Sequence, residues 1–154
     1  MIFKKADIND IDRLAQFRNA YMTEEYKTMP VHDLDIMMES LPAYFKAHMD
    51  KDFHAFIAID DNGENAGSLF LIIQEKPASP RFPTGRMAIV MNVYTAPEYR
   101  RQGVASTLVK MMLEFGKTQK LDHIELRATK MGEPLYKKHG FVEDTVYRPM
   151  KFYF

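Results

Sequence analysis

A chain of 154 residues, 46% of them hydrophobic, has enough apolar material for one core, so residues 1–154 are expected to form a single domain without disulfide or metal staples. The chain has no cysteine, which excludes disulfides and thiolate metal sites and points to a reducing cytoplasm, and no apolar run reaches the roughly 18 residues of a membrane span. The 21 basic and 21 acidic residues cancel, which argues against a nucleic-acid partner, yet residues 1–66 hold 7 Lys/Arg against 13 Asp/Glu and residues 67–154 hold 14 against 8.

In chain order, "DINDIDRLAQFRNAYM" carries Ile8, Ile11, Leu14, Ala15 and Phe17 near helical spacing, with Asp7 or Asn9 as a cap, and predicts a first helix. "PVHDLDIMMESLPAYFKAHM" repeats the pattern from Pro30, and Pro42 is expected to divide it into two shorter helices. "FHAFIAID", closed by Asp61, Asn62 and Gly63, and "AGSLFLIIQE" read as a β-hairpin. An irregular connection over residues 75–86 leads to "RMAIVMNVYT", nearly continuously apolar and therefore a central strand covered on both faces. Val104, Leu108, Met111, Met112 and Phe115 then mark one face of a helix ending near Gly116. "HIELRAT" alternates as a strand, "EPLYKKHG" reads as a short helix with Pro134 in its first turn and Gly140 as its stop, and "FVEDTVYRPMKFYF" is expected to add one or two last strands.

The junction "VYTAPEYRRQGVAS" carries the chemistry. A helix N-terminus leaves main-chain N–H groups without partners and concentrates positive charge, so it binds anions. Gly103 withdraws a side chain from those amides, Ala105 keeps the next turn small, and Arg100 and Arg101 add fork-shaped donors suited to phosphate oxygens. Neither the dinucleotide fingerprint nor the nucleotide-triphosphate loop occurs in the chain. His32, His48, His54, His123 and His139 lack zinc spacing and read as surface or strand-end residues, so no metal is expected.

"NVYTAPEYRRQGVASTLV" followed by "LYKKHGF" resembles the GNAT superfamily of acyl-CoA-dependent N-acyltransferases, whose loop reads [QR]-x-x-G-x-[GA] after a strand; Arg100, Gly103 and Ala105 hold those positions. The resemblance is specific over residues 86–142. It implies an α+β, three-layer fold with a mixed, mostly antiparallel sheet flanked by helices. It also implies acetyl-CoA as co-substrate and a primary amine of a small molecule or peptide as acceptor, attacked directly in a ternary complex. Arg100, Arg101, Gln102, Gly103, Val104, Ala105 and Ser106 would hold the pyrophosphate, and Val93, Tyr94 and Thr95 would pair with the pantetheine arm as an added strand.

In the same resemblance Tyr136 matches the tyrosine that protonates the departing thiolate, and the Val93 N–H is the candidate oxyanion donor. Asn92 stands where some relatives carry an acid, which leaves water, Glu25 or Glu133 as routes for the amine proton. The acidic N-terminal half, with Glu24, Glu25, Asp33, Asp35 and Glu39 in its helices, would favour a basic or zwitterionic acceptor. A cofactor-binding sensor of the same fold and an interaction module are the alternative classes; the aromatic tail "KFYF" is available for a homodimer interface, and neither a membrane nor a nucleic acid is expected as partner.

Overall fold

The computed structural model describes residues 1–28, 30–146 and 149–154. Strand β1 (Ile2–Lys5) opens the chain and pairs antiparallel with β2 (Phe53–Ile59); its four residues are too few to show a period, and sequence reading passed over it. Asp7 then accepts a hydrogen bond from the Asn9 N–H at 2.8 Å while Asp10 accepts from the Asp7 N–H at 2.9 Å, a reciprocal cap that starts a short 3-10 turn. Asp10 is buried against Lys4 at 2.8 Å, which ties this turn to β1. Helix α1 (Ile11–Glu25) follows directly.

Helix α2 (Val31–His48) runs unbroken through Pro42, contrary to the expected division. Proline removes one helical hydrogen bond, but both flanks are held by the same core: Met38 and Leu41 pack against it before the proline, and Phe45 is buried after it. The hairpin of β2 and β3 (Asn65–Glu75) forms as expected, and β4 (Arg86–Thr95) pairs antiparallel with β3. Helix α3 (Val104–Thr118), strand β5 (His123–Glu125) and helix α4 (Glu133–Lys138) complete the regular elements.

One sheet in the order β1-β2-β3-β4-β5 results, antiparallel except for the parallel β4–β5 pair. Helices α1 and α2 cover one face over Leu14, Phe17, Phe45, Phe53 and Phe70; α3 and α4 cover the other over Leu69, Leu71, Leu108, Met112 and Tyr136. This is the expected three-layer α+β arrangement. Gly67 on β3 sets the depth at which α3 docks, since a Cβ there would lie 2.7 Å from Val104 Cγ1 and 3.0 Å from the Tyr94 carbonyl oxygen. Among the described residues no helix is long and apolar enough to cross a membrane.

The "HIELRAT" strand shrinks to three residues, and residues 141–146 and 149–154 of the tail form no strand; Tyr147 and Arg148 lie outside the described residues. Glu143 and Asp144 are exposed, Pro149 lacks a ladder donor, and a three-residue edge offers little pairing to recruit a tail.

His54, read as a strand-end residue, is only 5% exposed, with its ring 4.7 Å from that of Phe115. Burial, followed by the nearby Lys5, holds its pKa below the ordinary histidine value, against a smaller opposing pull from Asp50. A depressed basic pKa means that the unfolded chain takes up the proton first, so stability falls as pH drops below about 6.5. His139 acts in the same direction. Denaturant melts between pH 7 and pH 5 should show this decline, and His54→Phe should make it shallower, leaving the part due to His139. An equally steep decline in the variant would remove His54 as its source.

Candidate functional site

The site begins where β4 leaves its neighbour. β4 and β5 pair only over residues 87–89 and 123–125, so β4 residues 90–95 have no strand on that side and a gap opens in the sheet. On the other side Ser68 faces Tyr94 and Phe70 faces Met91, so Asn92 and Val93 together oppose the single residue Leu69. This is a β-bulge, and Asn92 takes it with φ +52°, in the left-handed region.

Asn92 is 2% exposed and fully engaged. Its amide donates to Ser68 Oγ at 3.2 Å and to the Phe17 carbonyl at 3.5 Å, and its Oδ1 accepts from Arg18 Nη1 at 3.3 Å. The bulge is thereby fastened to α1. Arg18 itself falls on the apolar stripe of α1, four residues after Leu14, and lies 5.9 Å from the Tyr21 ring centre. Neither Arg18 nor Tyr21 was singled out from the sequence. The available signal was a charge at a core-facing helical position.

Beyond Thr95, a 3-10 turn (Pro97–Tyr99) leads into residues 100–103 and the start of α3. Gly103 has φ +84° and Arg101 φ +63°. The N–H groups of Val104, Ala105 and Ser106 make no hydrogen bond among the described residues, and a Cβ on Gly103 would meet nothing within 4 Å. The first turn of α3 therefore presents open donors, as an anion site requires.

The side chains around it also make contacts within the protein. Arg100 Nε donates to the Thr95 carbonyl at 2.9 Å and Nη2 pairs with Glu24 on α1, so this guanidinium braces the loop. Gln102 Nε2 donates to the Glu98 carbonyl at 2.8 Å, and Arg101 is exposed. The Ser106 hydroxyl lies 2.8 Å from His139 Nε2, joining the start of α3 to the end of α4; sequence reading assigned His139 no such contact.

Tyr136 is 8% exposed, with its ring 5.8 Å from that of Phe141. Burial, and secondarily the phenol of Tyr21, pushes its pKa up to about 12, so it keeps its proton at neutral pH. Of the two carboxylates considered as bases, Glu133 is exposed and paired with Lys137, and Glu25 is exposed at the end of α1. Asp33, Asp35 and Glu39 are likewise exposed. The charged group hydrogen-bonded to the bulge residue is the cation of Arg18.

The acetyltransferase (GNAT) family model matches residues 13–141. No curated protein matches the chain. Among solved structures, a "predicted acetyltransferase" of Clostridium acetobutylicum with acetyl-CoA is 26% identical, covers 97% of this chain and 95% of that one, and superposes with a TM-score of 0.83. An aminoglycoside acetyltransferase from an uncultured soil metagenomic sample is 19% identical over 99% of this chain and 98% of that one, with a TM-score of 0.73. Glucosamine-6-phosphate N-acetyltransferase from Arabidopsis thaliana is 15% identical over 99% of both chains, again at 0.73. The last two bear on the fold.

Gly103 separates backbone strain from steric crowding, because the space around it is empty while its φ is left-handed. Gly103→Ala should cost about 1 kcal/mol in chemical denaturation, the penalty of placing a Cβ in that region. A variant as stable as the parent would show that the loop relaxes to another conformation.

Proposed function

The chain belongs to the acetyltransferase (GNAT) family, and from that premise we propose that it transfers the acetyl group of acetyl-CoA to a primary amine of a small molecule or peptide, by direct attack within a ternary complex. It is an acyltransferase; the observation that carries the finer reading is the gap between β4 and β5, which ends beside the open amides of α3. An extended thioester arm fits a strand-length gap with an anion site at its end.

In this reading the amides of residues 101–106 hold the pyrophosphate, the Arg100 N–H being bonded to the Pro97 carbonyl at 3.3 Å, with Gly103 leaving room for it, and residues 93–95 of β4 pair with the arm. The Val93 N–H, within the bulge, donates to the oxyanion as the amine adds to the thioester carbonyl. Tyr136 then gives its proton to the departing thiolate; its phenol is protonated at working pH, as a donor must be. Asn92 takes no proton: an amide is not a base at neutral pH, and its polar atoms are already bonded to α1 and β3. The amine's proton leaves through water.

Thiol release from acetyl-CoA over a panel of primary amines tests the reaction, and turnover with none of them would defeat it. CoA should raise the melting temperature well above what NAD or ATP achieves. Gly103→Asp, which sets a carboxylate against the phosphates, should abolish most of that rise; an undiminished rise would move the cofactor elsewhere.

Tyr136→Phe should lower kcat by about 100-fold or more with little change in CoA affinity. In the parent, loss of the phenol proton removes the acid, so the alkaline decline in kcat attributable to Tyr136 should fall near its pKa of about 12. A decline at the ordinary tyrosine value that Tyr136→Phe eliminates would contradict the buried setting.

A further inference from the structure

On the α1/α2 face of the sheet a cavity of about 380 Å³ opens beside the bulge. Its walls are apolar, with Leu41, Phe45, Phe70 and Met91 among them, and its charged member is Arg18. Met91 is the residue before Asn92, and Arg18 bonds Asn92 directly, so the cavity abuts the point where β4 bends. The opposite sheet face carries α3, whose first turn is the proposed cofactor site. The two sites therefore approach β4 from opposite faces.

Arg18 is an unusual occupant of such a wall. It is half-buried, and among the described residues no carboxylate lies within 4 Å of it. Its protein partners are an amide oxygen and a tyrosine ring. A partly desolvated cation without a counter-ion is costly, and arginine's planar fork is matched by a carboxylate. Tyr44 adds a phenol at the same cavity. One guanidinium and one phenol, with no lysine or second arginine in the lining, suit a single negative charge better than a phosphate dianion.

We infer that Arg18 binds a carboxylate carried by the acceptor, so that the acceptor is a small amino acid with its amine close to its acid group and an apolar body lying in the cavity. This rests on the acetyl-transfer reading and narrows its substrate. The guanidinium hydrogen-bonds the side chain of Asn92, the residue before Val93, so a carboxylate held there lies close to the bend of β4, and an amine one carbon from it stays near that bend. Burial holds the pKa of Arg18 below the ordinary arginine value, with the phenols of Tyr21, Tyr26 and Tyr44 opposing that shift. Of the basic or zwitterionic acceptors expected from the acidic N-terminal half, the cavity favours the zwitterion: Glu24 is occupied by Arg100, and the cavity's own charge is positive.

The test pairs each amino acid with the alcohol made by reducing its carboxylate, phenylalanine with phenylalaninol and leucine with leucinol, in the thiol-release assay at saturating acetyl-CoA. The acid should have a kcat/KM at least about tenfold above its alcohol, the worth of a hydrogen-bonded charge. Arg18→Gln should bring each pair within about twofold, and Arg18→Lys, which keeps a charge without the fork, should leave an intermediate ratio. A structural brace for Asn92 would lower acid and alcohol by the same factor, and that result overturns the inference, as does a parent with no preference. Phosphoethanolamine outrunning the amino acids would overturn the carboxylate.

Calorimetric titration of the same pairs into the CoA complex separates the two proposals. Without turnover on any amine the transfer reading fails, while tighter binding of acid than alcohol, lost in Arg18→Gln, still supports the carboxylate site. Equal binding of acid and alcohol overturns it. Should Arg18→Gln not fold, the Arg18→Lys ratio decides: unchanged from the parent, it removes the fork from the argument.

Discussion

The bend in β4 at Asn92 is the constraint on which the rest of the site depends. A non-glycine residue at positive φ is disfavoured by about 1 kcal/mol, and it persists only where its surroundings over-determine it. Here the surroundings are named atoms: the Phe17 carbonyl, Ser68 Oγ and the Arg18 guanidinium, all reaching a side chain that is 2% exposed. Because two of these partners belong to α1, the bend and the helix position are one decision. Straighten β4, and a buried amide loses its partners in a place where water cannot replace them.

The same strand also organises what lies beyond it. Once β4 has turned from β5, the chain must return at the foot of α3, and Gly67 lets that helix approach the sheet closely enough for Val104 and Leu108 to fill the space. The loop between is held from two directions: Arg100 ties it to Glu24 on α1, and Ser106 ties the first turn of α3 to His139 on α4. The open amides are thus carried by a clamped turn, and a preorganised donor set loses little on meeting an anion.

Much of this was legible in the sequence, and the reasons differ by element. The hairpin, the apolar run of β4 and the amphipathic α3 are long and periodic, and each formed as expected. The loop motif was legible because glycine at position 103 has a conformational cause, its φ of +84°. Where the reading failed, the determinants were tertiary. Four residues of β1 carry no period, Pro42 is overruled by packing on both its flanks, and the tail, expected to add strands, has only a three-residue edge strand beside which to lie. Arg100 was assigned to phosphate from its charge, its fork and its place in the loop motif; in the structure its fork meets Glu24.

Arg18 illustrates the converse error, a residue that composition hides. Counted with its neighbours it is one cation among thirteen acids in the first 66 residues, and the sum suggests a surface that attracts amines. Position qualifies that sum. The acids of α2 and the end of α1 stand exposed, where solvent and salt screen them within about 8 Å at physiological ionic strength. Arg18 instead stands half-buried at the bulge, where screening is weak and its charge acts at contact distance. In the proposed acceptor cavity one half-buried cation acts more strongly at close range than solvated anions further out, so the field there depends on placement along a helical stripe more than on net charge.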